Sequence, residues 1–217
     1  TIKVNMALAG RSPVCTAAEV IHALVPGEIN DGALRLVIEE LATMPAVDAD
    51  LIDADAIGVF SYFTKEGYEN VTGVARGGTK YDKALKGDRP MRADEVAKGQ
   101  QTLQSLVDNW AEMPKFTGGT VYRVVHAGTG EDALAAGASL VKANPTSTSV
   151  ALDWSRAGPG KVCCKIVLKP GQADMLAVDT RAVSTYTHEG EILLTPGTQF
   201  TKLRIEGDYT LFEAQLP

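Results

Sequence analysis

The sequence predicts an α+β fold in which an N-terminal helical lobe packs on a mostly antiparallel, two-sheet β core. Three observations carry this expectation. Apolar residues recur at helical spacing through residues 14–113, and short β-branched runs punctuated by Gly, Pro and Asp take over from residue 119. No internal repeat or low-complexity linker divides the halves, so one domain is expected over residues 1–217, mainly helical over 1–115 and β-rich over 116–217.

The helical half is read from its periodicity. TAAEVIHALV offers Thr16 as an N-cap, and GALRLVIEELATM carries Leu34, Val37, Ile38 and Leu41 on one face. ADAIGVFSYF and EGYENVTGVARG follow as two further helices, the second stopped by glycines. GGTKYDKALKGDRPMR reads as a loop. In DEVAKGQQTLQSLVDNWAEM, residues Leu103, Leu106, Val107, Trp110 and Met113 form an apolar face, and Pro114 ends the helix. The strand half is built from TVYRVV, KVCCKIVL, ADMLAV, EILL, FTKLRIE and YTLFEAQ.

Composition narrows the function classes. The 217 residues are 45% hydrophobic and 22% charged, with no run approaching a membrane span. A formal charge of −6 argues against a nucleic-acid binder that relies on neutralising phosphates. Cys15, Cys163 and Cys164 do not form a disulfide framework; the adjacent pair should face opposite sides of a strand as small apolar fillers. His22, His126 and His188 are far apart and show no metal-ligand spacing. The chain begins at Thr1 without a signal peptide, which suggests a processed form or a domain of a longer protein.

Three polar marks interrupt the strand half. Arg123 sits inside TVYRVV, where it must either face water or pair with an anion. Ser147, Thr148 and Ser149 follow Asn144-Pro145; on a strand, Ser147 and Ser149 share one face and Thr148 takes the other. Glu189 and Glu191 flank one glycine in STYTHEGEILLTPGTQF, a spacing that puts both carboxylates on one strand face. Each mark alone also fits an ordinary surface strand.

In this order the three marks resemble the arginine–serine–glutamate clade of mono-ADP-ribosyltransferases, of the bacterial toxin and effector type with two glutamates around one residue. The resemblance runs from about residue 54 to the C-terminus, with Tyr68 and Arg76 in AIGVFSYFTKEGYENVTGVARG at the places of a family tyrosine and arginine. It implies the ADP-ribosyltransferase fold with NAD as co-substrate and no metal. Arg123, Asn144, Ser147, Arg156 and Glu191 would bind NAD, with Arg156 standing in for a further family arginine. Glu191, Glu189 and Ser147 would be catalytic, and Tyr186 with Glu189 would recognise the acceptor. The sequence departs from the family at Pro145, where many members have an aromatic, and at Val124, where several have a second arginine.

The resemblance also implies the reaction. NAD carries a good leaving group, so the demand is to stabilise positive charge growing on the ribose, a task suited to a carboxylate. Glu191 would meet that charge, Ser147 would orient it, and Arg123 would grip phosphate with a planar fork. Glu189 would hold an acceptor guanidinium and take its proton. The expected product is ADP-ribosylated arginine on a target protein such as actin, a small GTPase or another host protein. The enzyme would be secreted or delivered into a target cell and act in its cytoplasm. Two alternatives stand beside this: an NAD glycohydrolase with water as acceptor, and an inactive binding module of the same fold.

Overall fold

A computed structural model describes residues 47–150, 158–186, 189–207 and 209–217. The two helices expected before residue 46 lie outside the described residues, as do Cys15, His22, Arg156 and His188.

The first helix, α1 (Ala54–Tyr62), is opened by Asp53, whose carboxylate accepts the backbone N–H groups of Asp55 and Ala56. A π-helical turn (Phe63–Gly67) leads directly into α2 (Tyr68–Ala75), so the two expected helices form one continuous run. Gly67 ends the π-helical turn, where a Cβ would lie 3.0 Å from the Tyr62 ring. The next helix, α3 (Ala93–Asp108), crosses α2 at Gly99 so closely that a Cβ there would lie 2.6 Å from the Asn70 carbonyl oxygen.

The expected loop between α2 and α3 is a β-hairpin instead, β1 (Thr79–Asp82) with β2 (Gly87–Pro90). Its turn is organised by Asp82, whose carboxylate accepts the backbone N–H groups of Ala84 and Leu85. Arg89 then ties the hairpin to α3. Its two terminal nitrogens each donate to Glu95 at 2.7 Å, while its Nε donates to Asp82. Glu95 also accepts the Arg92 backbone N–H at 2.9 Å. The Arg89 fork, and then that backbone bond, hold the Glu95 carboxyl well below the usual carboxylate range.

Eight strands form the main sheet: β3 (Thr120–His126), β4 (Ser139–Val141), β5 (Thr146–Ser149), β6 (Lys161–Leu168), β7 (Ala177–Asp179), β8 (Glu191–Leu194), β9 (Gln199–Glu206) and β10 (Tyr209–Gln215). Their order is β4-β9-β10-β6-β3-β5-β8-β7, and among the described strands only β10 with β6 is parallel. ADMLAV, read as a strand, begins as a helical turn (Ala173–Leu176) and becomes a strand only at Ala177.

The sheet is pinched at β3–β5, where Tyr122 opposite Ser149 is the single register pair. Both sides of the pinch contribute to one apolar cluster, Val121, Ile166 and Phe212 from one side and Ile192 and Leu194 from the other. The expected two sheets are thus two halves of one ladder, closed on a shared core. Cys163 and Cys164 are both buried, with Cys164 in this core, as small fillers should be. Burial pushes the Cys164 thiol up to about 12.

A second apolar cluster sits on the outer face of β7 and β8. Phe60, Phe63, Val71, Leu106 and Met113 of the helical lobe meet Val178 and Leu193, with Trp110 tilted against Phe60 at 5.6 Å between ring centroids. Each large side chain so buried contributes about 1.5–3 kcal/mol. Val107, expected on the α3 core face, is 51% exposed, because the face that packs runs through Leu103, Leu106 and Trp110.

The α2–α3 crossing generates a paired test. Gly99→Ala should lower stability by at least about 1 kcal/mol in urea denaturation, because the methyl meets backbone that cannot turn aside. Gly58→Ala, in α1 where a Cβ meets nothing within 4 Å, should raise it by about 0.5–1 kcal/mol. Equal effects of the two substitutions would remove the close crossing as a constraint.

Candidate active site

The pinch between β3 and β5 places the polar marks of the sequence against one another. Antiparallel pairing sets Ser149 opposite Glu191 and Ser147 opposite Leu193, so Ser147, Ser149 and Glu191 share a face. Thr148 takes the other, buried face. Ser147 is therefore the diagonal neighbour of Glu191, and its Oγ donates to Glu191 Oε1 at 2.7 Å.

All three hydroxyls of the Ser-Thr-Ser run act on the same short stretch. Thr148 Oγ1 donates to the Ile192 carbonyl at 2.7 Å, and Ser149 Oγ donates to the Glu189 carbonyl at 2.5 Å. One hydroxyl thus holds the carboxylate, and the other two hold the backbone on either side of it. Arg123 reaches the same place from β3, where its Nη1 donates to the Ser147 carbonyl at 2.7 Å.

Glu191 itself is 6% exposed. Its second oxygen, Oε2, accepts the hydroxyl of Thr180 at 3.2 Å, and that hydroxyl also lies 3.0 Å from the Glu191 carbonyl. Burial pushes the Glu191 carboxyl above its ordinary value; the Ser147 and Thr180 hydroxyls pull it back, and the charge of Glu189 raises it further. A carboxylate held by two hydroxyls in so dry a place can, when ionised, stabilise a cation forming beside it.

Glu189 reaches this neighbourhood by a different route from the one its spacing suggests. Strand β8 starts only at Glu191, and Gly190 has φ of 55°, so a left-handed turn separates the two glutamates. Strand alternation does not govern Glu189; the turn sets its direction. Tyr186 lies on the preceding loop, 43% exposed. Across from it Tyr68 of α2 is close enough that burial, Glu69, Tyr186 and Glu189 together raise its phenol pKa. The loop is anchored at its start by Asp179 and Arg181, a buried pair whose guanidinium donates to the carboxylate at 2.8 and 2.6 Å.

Asn144, expected to bind cofactor, turns its amide to the neighbouring Pro145 carbonyl at 3.0 Å. Arg156 and His188 lie outside the described residues. Arg123, Ser147 and Glu191 are the expected residues joined by direct hydrogen bonds.

No family model matches the chain, and no curated protein matches it. Solved structures do. The agmatine complex of the ADP-ribosyltransferase Vis, a toxin from Vibrio splendidus, superposes with a TM-score of 0.56 at 19% identity, covering 88% of this chain and 86% of that one. Exoenzyme S from Pseudomonas aeruginosa, bound to carba-NAD and human 14-3-3 protein beta, superposes at 0.53 and 15% identity, covering 76% of this chain and 74% of that one. The ATR domain of Salmonella SpvB gives 0.53 at 14% identity, covering 75% of this chain and all of that domain. The chain has the ADP-ribosyltransferase fold.

Within this ADP-ribosyltransferase fold the structure adds contacts that the sequence did not reveal. Thr180 follows a strand of only three residues and belongs to no motif, yet it occupies one oxygen of Glu191. Glu131 lies in a short 3-10 turn (Gly130–Ala133), yet it is 3% exposed and stands 3.5 Å from Arg123 Nε. Neither residue carries a signal in the sequence; only the register of the ADP-ribosyltransferase fold brings them in.

The Thr180 contact can be tested without any assumption about the reaction. The hydroxyl favours the ionised form of Glu191, so Thr180→Val should make that carboxyl titrate at higher pH, followed by carboxyl carbon NMR. An unchanged or lower titration midpoint would show that Thr180 does not stabilise the carboxylate.

Proposed function

We propose that this chain is a mono-ADP-ribosyltransferase that moves ADP-ribose from NAD to an arginine side chain of a target protein and releases nicotinamide. One observation carries the reading. A buried carboxylate, Glu191, is held by Ser147, and the backbone of that same serine is held by Arg123. Such a set offers negative charge and a phosphate-binding fork side by side.

The chemistry follows from the roles these groups can take. Arg123 binds phosphate of NAD, and Glu191 accepts a hydroxyl of the nicotinamide ribose. As the glycosidic C–N bond lengthens, nicotinamide leaves with the bonding pair and positive charge collects on the ribose. Glu191, ionised and shielded from water, stabilises that charge; Ser147 and Thr180 keep it aimed. A guanidinium nitrogen of the target then bonds to the ribose carbon, and Glu189 takes the proton it loses. Tyr186 and Tyr68, exposed beside Glu189, offer aromatic surface to the approaching target. The fold likeness to toxins, with agmatine bound in one and carba-NAD in another, supports a guanidinium acceptor and NAD as donor. It also supports secretion or delivery into a host cell, with a host protein as target.

Labelled NAD incubated with agmatine, and separately with a cell lysate, tests the reading. Wild type should release nicotinamide and label agmatine. Glu191→Gln should cut both by at least about a hundredfold. Glu189→Gln should lose agmatine labelling while keeping NAD hydrolysis. Nicotinamide release by wild type without any labelled acceptor would make the chain an NAD glycohydrolase, and no NAD consumption at all would make it a binding module.

A further inference from the structure

The β1–β2 hairpin concentrates positive charge that the site around Glu191 does not use. From Arg76 to Arg92 stand six cationic residues and two acidic ones, in a chain whose formal charge is −6. Strand register sorts them. Lys80 pairs with Arg89 across the hairpin and both turn inward. Lys80 meets Asn70 at 3.0 Å and Glu69 at 3.3 Å, while Arg89 clasps Glu95. Tyr81 and Asp88, the neighbouring pair, take the other face, and Tyr81 is 53% exposed.

The turn between the strands, Lys83-Ala84-Leu85-Lys86, is exposed throughout, with Leu85 at 69%. It is nonetheless firmly held. Asp82 accepts two of its backbone N–H groups, and Lys86 closes it in the left-handed region at φ of 49°. A leucine on so fixed a turn is displayed to solvent. Lys83 and Lys86 flank it, and neither has an acidic partner among the described residues. Asp82 is committed to the turn and to Arg89, so the tip stays cationic even with Asp88 beside Tyr81.

We propose that this tip docks on an anionic lipid surface, with Lys83 and Lys86 on the headgroups and Leu85, backed by Tyr81, entering the interface. The size of the tip favours a bilayer over an acidic protein. A specific protein partner buries about 800 Å² on each side, far more than such a turn offers, and those interfaces select arginine over lysine. Here the arginine of the hairpin faces α3, and both cations of the turn are lysines. A bilayer needs no matched shape. The acidic remainder of the chain, screened beyond about 8 Å at physiological salt, keeps the contact to this one point.

Co-sedimentation with vesicles tests the proposal, using phosphatidylcholine alone and phosphatidylcholine with about 30% phosphatidylserine. The chain should pellet only with the anionic vesicles and be released at high salt. Lys83→Gln combined with Lys86→Asn, a residue tolerated at positive φ, should weaken binding about twentyfold. Leu85→Ser should weaken it about tenfold and leave the salt dependence in place. Lys83→Arg with Lys86→Arg should keep binding, as should Lys161→Gln, which removes an exposed charge elsewhere. No pelleting with anionic vesicles, equal pelleting with neutral ones, or indifference to the tip substitutions overturns the proposal. Capture of a polyglutamate peptide in preference to the anionic vesicles overturns it in favour of an acidic protein partner.

Discussion

A carboxylate buried at the first residue of β8 is the constraint around which the strand half is arranged. Removing an ionised group from water is costly, and Glu191 is compensated by a hydroxyl on each oxygen. Those hydroxyls come from opposite sides, Ser147 from β5 and Thr180 from the end of β7. The central position of β8 between these two strands is therefore needed as much for charge as for the apolar contacts of Ile192, Leu193 and Leu194. The same residues divide their labour by strand alternation: Ile192 and Leu194 face the shared core, while Glu191 and Leu193 share the other face, Glu191 against Ser147 and Leu193 against the helical lobe.

The pinch at β3–β5 sets what surrounds Glu191. With a single pair holding the two halves, the strands diverge just where Arg123 leaves β3, and its side chain spans the gap to the Ser147 carbonyl. Precision and reach are thereby separated. The groups that touch Glu191 are on strand ends or locked turns, with the Asp179–Arg181 pair fixing the loop's root, while Tyr186 projects from the same loop into solvent. Such an arrangement lets the loop's tip vary in sequence and leaves the carboxylate undisturbed.

What could be read from the sequence follows the range of the interactions involved. The α+β division, most strands and the convergence of Arg123, Ser147 and Glu191 were legible because each depends on local periodicity or on a recognisable motif. The β1–β2 hairpin was not, since its strands are charged and short, and what makes them pair is Arg89 bridging Asp82 and Glu95. The helical start of ADMLAV was hidden by its apolar run, which fits a buried turn as well as a strand. Strand alternation would put Glu189 and Glu191 on one face only if the strand were unbroken, and Gly190 breaks it. Thr180 and Glu131 could not be read at all. Their partners are set by strand register across the fold, and nothing about an isolated Thr or Glu announces a partner on another strand.

The clasp between Arg89 and Glu95 has a consequence for behaviour in acid. Its carboxyl is held below the ordinary range, while burial lifts that of Glu191 above it. As protons accumulate, Glu191 is neutralised before Glu95, whose ion pair with Arg89 outlasts it. The charge on β8 and the fastening of the hairpin to α3 therefore answer to different ranges of acidity.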